Sequence, residues 1–317
     1  MQLITTLLAV TLSAGTSLLY ATIGEIYTER SGILNLGVEG MMMMGALSAF
    51  AVSFYTGSLF LSLIVAMLVG GSLALLHAFL SISMRANQVV SGLSITLFGT
   101  GLASYLGQRL GPESNGFNLA GMTASNFQKI QIPFLGDIPI LAAFFNQDVL
   151  TYMLFLIVPL SWYFMYRTKH GLSLRSVGEN PRTASAMGIS VAKVRYLYTV
   201  IGGMLVGLGG AHLTLAYTPG WSENVTGGRG WIVIALVIFA GWNPSRAVFG
   251  AVLFGGINAI QFRLQAAGTM IPASFLNMAP YVVTVVVLAL MTIIGKKKKG
   301  KYSSPSALGN AFSIEDK

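Results

Sequence analysis

Residues 27–45, YTERSGILNLGVEGMMMMG, set charge, asparagine and glycine between two stretches that are each apolar enough to cross a bilayer. Three carboxylates (Glu25, Glu29, Glu39), Arg30, Asn35 and four glycines (Gly24, Gly32, Gly37, Gly40) crowd this break. In hydrocarbon an irregular backbone leaves N–H and C=O groups unpaired, at a cost of several kcal/mol each. Such a break therefore survives only against other protein or a water-filled cavity. It is either part of a translocation path or gate, or an ordinary polar turn between two spans.

Composition places the whole chain in a membrane: 54% of residues are hydrophobic and 9% charged, with a mean hydropathy of +0.71, whereas soluble domains carry about 25% charged residues. The N-terminus lacks a basic region ahead of its apolar run, so a retained first span is expected rather than a cleaved signal. The absence of cysteine excludes disulfides, thiol catalysis and cysteine metal sites. The three histidines, His77, His170 and His212, are scattered singly, as packing residues are. Met41–Met44 offers soft thioethers, but successive helical positions point about 100° apart and cannot converge on one ion. Adaptable packing is the better account.

The net charge of +9 is explained by its placement: six of the nineteen Lys/Arg fall in 167–195 and five in 296–301. Basic clusters beside spans mark the cytoplasmic side and attract anionic lipid headgroups, so nucleic acid is not implied.

Apolar runs over 3–23, 38–55, 59–82, 88–110, 150–166, 196–217, 230–241, 247–265 and 272–294 give an all-α polytopic membrane protein of about nine segments. The run 230–241 has only twelve residues, so it is expected to be a shielded half-helix. The span 196–217 carries Gly202, Gly203, Gly207, Gly209 and Gly210, a spacing that lets helices approach closely. Residues 1–295 form the transmembrane domain. Within it, 111–149 has three prolines and a single basic residue, Lys129, and is expected outside the cytoplasm, with 138–145 a candidate re-entrant piece. The loop 167–195 is expected inside. The tail 296–317 is expected to be cytoplasmic, basic and, from 302 onward, disordered; parity then puts the N-terminus outside.

The two ends of the chain resemble each other. Gly40 with MMMMGALSAF parallels Gly230 with WIVIALVIFA, and the break at 30–40 parallels SENVTGGRG at 222–230. The paired helices would cross in opposite senses, which predicts an inverted repeat with interrupted helices beside a pathway.

In HGLSLRSVGENPRTASAMGISVAKV, residues 170–194, Asn180 precedes Pro181 as an N-cap precedes a first-turn proline, and Gly188 suits the C-terminal cap. One short capped helix is expected here. It is too short to be stable alone and must pack on its own bundle or on a partner.

ERSGILNLGVEGMMMMGA (29–46) and GLSLRSVGENPRTASAMGI (171–189) resemble the inner-membrane permeases of ABC importers of the branched-chain amino acid and simple-sugar type. The likeness is nearest to permeases of nucleoside uptake, and covers nearly the whole chain. Sugar permeases of that family have a further helix ahead of the interrupted one, which is not seen before residue 3 here. The resemblance implies a type II ABC importer-like fold in the cytoplasmic membrane of a bacterium. It implies three partners: an ATP-binding subunit, a second permease subunit expected to be a different, related chain, and an extracytoplasmic substrate-binding protein. Arg175, Glu179, Asn180, Pro181, Arg182, Thr183 and Gly188 would form or flank the helix that docks on the ATP-binding subunit.

The chain has no GxxxxGK[ST] phosphate loop, so it is expected to be no enzyme and to bind no cofactor, ATP being used by the partner. Nucleosides are the expected cargo, with ribose, other simple sugars or branched-chain amino acids as alternatives. A secondary transporter would need intramembrane ionisable groups for ion coupling, and the mid-span regions are nearly free of them. Asn35, Glu39 and Asn224 are candidates to line the path, although helix-packing polar residues would look the same. Tyr105, Trp221 and Trp231 could stack on a base but cannot be placed from sequence.

Overall fold

A computed structural model describes residues 2–133, 136, 138, 140–268, 272–297 and 304–312. The helices are α1 (Gln2–Arg30), α2 (Val38–Thr56), α3 (Leu59–Ala78), α4 (Gln88–Gly107), α5 (Ala142–Phe145), α6 (Val149–Arg167), α7 (Lys169–Glu179), α8 (Pro181–Ala186), α9 (Val191–His212), α10 (Arg229–Ala240), α11 (Pro244–Ala266) and α12 (Ala273–Lys297). Wider π-turns, Phe79–Ser83 and Leu213–Tyr217, extend α3 and α9. Among the described residues, seven helices are long and apolar enough to cross a membrane. The other two expected segments are the twelve-residue α10 and α12.

The first helix runs to Arg30, seven residues beyond the expected span, and takes Glu25 and Glu29 into its last turns. Ser31 and Gly32 close it by bonding back to the Thr28 and Glu29 carbonyls, with Gly32 at φ +90°, the left-handed turn that glycine adopts at little cost. The break is therefore 31–37 and narrower than the composition suggested. It climbs back into the bundle beside α4: the Leu34 N–H donates to Gln88 Oε1 (2.7 Å), the Thr96 hydroxyl donates to the Leu36 carbonyl (2.7 Å), and a Cβ on Gly40 would lie 2.8 Å from Thr96 Cα. From Gln88 to Gly99 α4 rises about 16 Å, so α2 begins deep inside the protein.

Packing is organised by α9, which touches α1, α2 and α3 along its length. Glycines permit this: a Cβ on Gly45 of α2 would sit 2.6 Å from Gly207 Cα, and one on Gly70 of α3 would sit 2.9 Å from the same atom. The four methionines 41–44 are all buried in the core around α2.

The described residues of 111–149 lie across one end of the bundle, pinned by Leu119 N–H to the Gly107 carbonyl and Phe127 N–H to the Leu215 carbonyl. They contain a two-stranded antiparallel pair, β1 (Ile130–Gln131) and β2 (Asn146–Gln147), with Ile130 opposite Gln147. Of the expected re-entrant piece at 138–145, residues 138 and 140–145 are described, and the helical part is the four-residue α5.

At the opposite end the loop 167–195 holds two helices where one was expected. Thr168 caps α7 through the Gly171 N–H (3.1 Å) and Asn180 caps α8 through the Thr183 N–H (3.0 Å). The tail also departs from expectation: residues 304–312 are not free but packed into this end, where the Gly178 and Gly32 carbonyls accept from the Ala307 and Gly309 N–H groups. The lysines 298, 299 and 301 lie outside the described residues.

Candidate functional site

The two breaks seen in the sequence meet. Glu39, in the first turn of α2, is 6% exposed and accepts from the Thr226 hydroxyl (2.6 Å), the Gly228 N–H (2.9 Å) and the Gly230 N–H (2.6 Å). Gly228 and Gly230 flank the start of α10, and a Cβ on Gly230 would lie 2.5 Å from Glu39 Cα. Two helix N-termini are thus in contact, and the free N–H groups and partial positive charge of α10 are answered by one carboxylate.

Three further residues complete this junction. The Arg229 guanidinium lies 5.0 Å from the Tyr217 ring centre and 3.5 Å from the Ala14 carbonyl oxygen. It is 9% exposed, a buried cation of the kind that usually marks a transport path. From α12 the Tyr281 hydroxyl donates to the Gly227 carbonyl (2.9 Å), while its ring remains open on one side. Asn224 is exposed nearby and its carbonyl accepts from the Gly227 N–H (3.0 Å).

Asn35 does not reach the junction. Its amide donates to Glu25 Oε2 (2.9 Å) and its carbonyl oxygen accepts from the Gly37 N–H (2.9 Å), which braces the break from behind. Of the aromatic candidates, Trp221 is buried in the core, Tyr105 is exposed beside Arg109, and Trp231 is partly exposed on the first turn of α10. Two further carboxylates, Glu25 and Glu29, are buried in the last turns of α1, beyond the first span expected from the sequence.

The far end of α10 is held by the last turn of α1. Arg30 donates from Nε to the Trp242 carbonyl (3.1 Å) and from Nη2 to the Gly241 carbonyl (3.4 Å), and the Trp242 indole N–H donates to Glu29. A guanidinium at carbonyls ending a helix complements its dipole. Glu39 and Arg30 therefore grip the two ends of α10, about 18 Å apart at 1.5 Å per residue.

Arg30 also faces Glu179, 3.8 Å away, at the end of α7. The next element, α8, is exposed at Arg182, Thr183 and Met187, and Gly188 stops it at φ +82°. Arg175, expected to face a partner, is turned inward instead: its Nε donates to the Met165 carbonyl (3.1 Å) and it stacks 5.1 Å over Tyr166.

At the opposite end Asp148 caps α6 through the Thr151 N–H and lies 3.4 Å from His212 Nε2. Burial works to raise its carboxyl, but the His212 bond and charge and the Thr151 bonds outweigh it and hold the group down to about 2. A depressed carboxyl contributes stability above its unfolded value of about 4 and loses it as pH falls toward 2. Asp148→Asn should lower the thermal midpoint in detergent at pH 7 by roughly 5 °C, with the gap to the parent closing between pH 4 and 2. An unchanging gap would refute the pairing.

Among the described residues no group of three or more His, Asp or Glu is placed to hold a metal ion.

Residues 7–295 match the family model described as a branched-chain amino acid transport system/permease component. A provisionally assigned glucose ABC transporter permease of Haloferax volcanii is 40% identical, covering 98% of both chains. A nucleoside ABC transporter permease of Lactococcus lactis is 36% identical over 93% of this chain and 92% of its own. A guanosine ABC transporter permease of Bacillus subtilis is 33% identical over 93% and 94%. The chain belongs to this permease family and is a multi-pass protein of the cell membrane. Membership implies association with an ATP-binding subunit and a substrate-binding protein.

Proposed function

We propose that this permease forms the path by which an ATP-driven importer takes up nucleosides. The observation that carries the mechanism is the contact between the two breaks, Glu39 against 226–230. It supports reading α2 and α10 as counterparts in two halves, with the pathway beside their shared starting point. Glu39, Arg229 and Tyr281 offer an acceptor, a cationic donor and a hydroxyl there, the chemistry that ribose hydroxyls and ring nitrogens require. Asn224 stands at the exposed approach, and Asn35 acts by bracing the break.

The basic residues of the α7–α8 end support its facing the cytoplasm, with 111–149 and the N-terminus outside. The ATP-binding subunit docks on α8 through Asn180, Pro181, Arg182 and Thr183. Its closure pulls Glu179 and Arg30, hence the lower end of α10. A second, related permease chain completes the path, and an extracytoplasmic binding protein delivers the cargo.

Nucleosides are supported by two of the relatives and by the NLGVEGMMMMG segment. Glucose is the second reading, favoured by the 40% identical relative. Both cargoes are polyhydroxylated rings, so the junction suits either. Competition decides: in cells carrying the complete system, uptake of labelled guanosine should fall at least tenfold with excess uridine and remain unchanged with excess glucose, ribose or leucine. Uptake of labelled glucose that no nucleoside suppresses would replace the first reading with the second.

A further inference from the structure

We infer that the tail segment 304–312 is a positioning element for ATP coupling, tying the α7–α8 loop to the break after α1. It bonds to the end of α7, to the break after α1 and to α9. Its Ala307 N–H donates to the Gly178 carbonyl at the end of α7 (2.9 Å), and its Gly309 N–H donates to the Gly32 carbonyl in the break (3.3 Å). The Ser306 hydroxyl donates to Glu179 Oε2 (3.0 Å), the carboxylate that also faces Arg30.

The third attachment is to α9. Arg195 is 1% exposed; its Nε donates to the Ser31 carbonyl (3.3 Å) and its Nη1 to the Asn310 carbonyl (3.2 Å). One buried guanidinium thus joins the break and the tail. Phe312 then packs against the small cluster of Val177, Ala184 and Val191, which is the apolar footing of α8. A six-residue helix has no stability of its own, so the direction in which α8 transmits force depends on what it stands on. The tail supplies part of that footing and, through Gly32, a direct line to the break that leads into α2 and Glu39.

Two features argue against a passive terminus. The bonds are backbone to backbone at both Gly178 and Gly32, which fixes a register rather than a loose contact. Between 305 and 310 the tail also turns on itself, with the Leu308 and Asn310 N–H groups bonded to the Pro305 and Ala307 carbonyls.

The inference rests on α8 being the docking helix, and the experiment separates the two. The complete transporter is reconstituted in proteoliposomes with the parent chain, with a chain ended after Tyr302, and with Phe312→Ala. Labelled guanosine and labelled glucose are supplied in parallel, and uptake, ATP hydrolysis and the amount of bound ATP-binding subunit are read in the same vesicles. The variants should retain the ATP-binding subunit and hydrolyse ATP within about twofold of the parent, while uptake falls about tenfold, so that ATP spent per molecule imported rises about tenfold. An unchanged ratio, whether both rates hold or both fall, overturns the inference. Should the shortened chain fail to assemble, the ratio for Phe312→Ala decides. If the parent itself showed uptake indifferent to ATP, the docking reading would fall instead.

Discussion

Glu39→Gln is expected to reduce uptake at least tenfold while the permease still reaches the membrane and holds its ATP-binding partner. The carboxylate accepts two backbone N–H groups and one hydroxyl at the start of α10. An amide of the same shape keeps one acceptor oxygen and turns N–H donors toward groups that are themselves donors. At least one buried N–H is then orphaned, at about 1–3 kcal/mol, and a charge-assisted bond of about 1.5–3 kcal/mol is lost. That sum is small beside the packing of the whole helical bundle but large beside the few kcal/mol that separate two states of a transporter. Glu39→Ala should be more severe, and Glu39→Asp intermediate because the shorter arm still carries charge. The measurement is initial uptake rate in cells, normalised to permease content in the membrane. A Glu39→Gln chain importing at the parental rate would exclude the junction from the mechanism.

Gly207→Val is expected to abolish the folded protein rather than its transport alone. Gly207 is where α9 receives both α2 and α3: a Cβ on it would collide with the Ala66 carbonyl oxygen, a backbone atom that cannot swing aside. The neighbouring approaches of Gly45 and Gly70, 2.6 and 2.9 Å from Gly207 Cα for an added Cβ, show that no slack exists on the other sides. Lipid gives little drive to helix association, so close packing at small residues carries much of the stability, and overpacking costs of several kcal/mol are not recovered elsewhere. Extraction in mild detergent followed by size-exclusion chromatography should show no monodisperse peak. Gly101→Val, where an added Cβ would meet nothing within 4 Å beyond its own stretch of helix, is the matched control and should behave as the parent. A monodisperse Gly207→Val protein would show that the three helices can separate.

The membrane class, the nine helical segments and the glycine face of α9 were legible because hydropathy and small-residue spacing report burial directly. The end of α1 was not. Glu25 and Glu29 look like loop residues, and only the tertiary partners of this end, Asn35 for one and the Trp242 indole for the other, explain why they stay in a buried helix. Glu39 stood out as a carboxylate in a glycine-rich break, but its partners lie nearly two hundred residues away and no local pattern names them. Arg229 was visible as a lone cation beside the second break and could have been singled out on that ground. Tyr281 offered no signal, since one tyrosine in an apolar helix is unremarkable until the fold sets it against Gly227. The tail misled because serine, glycine and terminal position read as disorder, whereas its bonds are made by backbone groups that side-chain composition does not describe.

The joint between α2 and α10 has one mechanical property that neither helix has by itself. Both helices begin there, so no i→i−4 bond of either crosses the seam, and the two can part as rigid rods without unwinding a single turn. What holds the seam shut is the trio of bonds on one carboxylate, steadied by the hydroxyl from α12. If the joint opens as proposed, it would do so as a clasp releases rather than as a spring bends. Its threshold resides in a few polar contacts that water or a hydroxyl-bearing passenger could replace one for one as it enters.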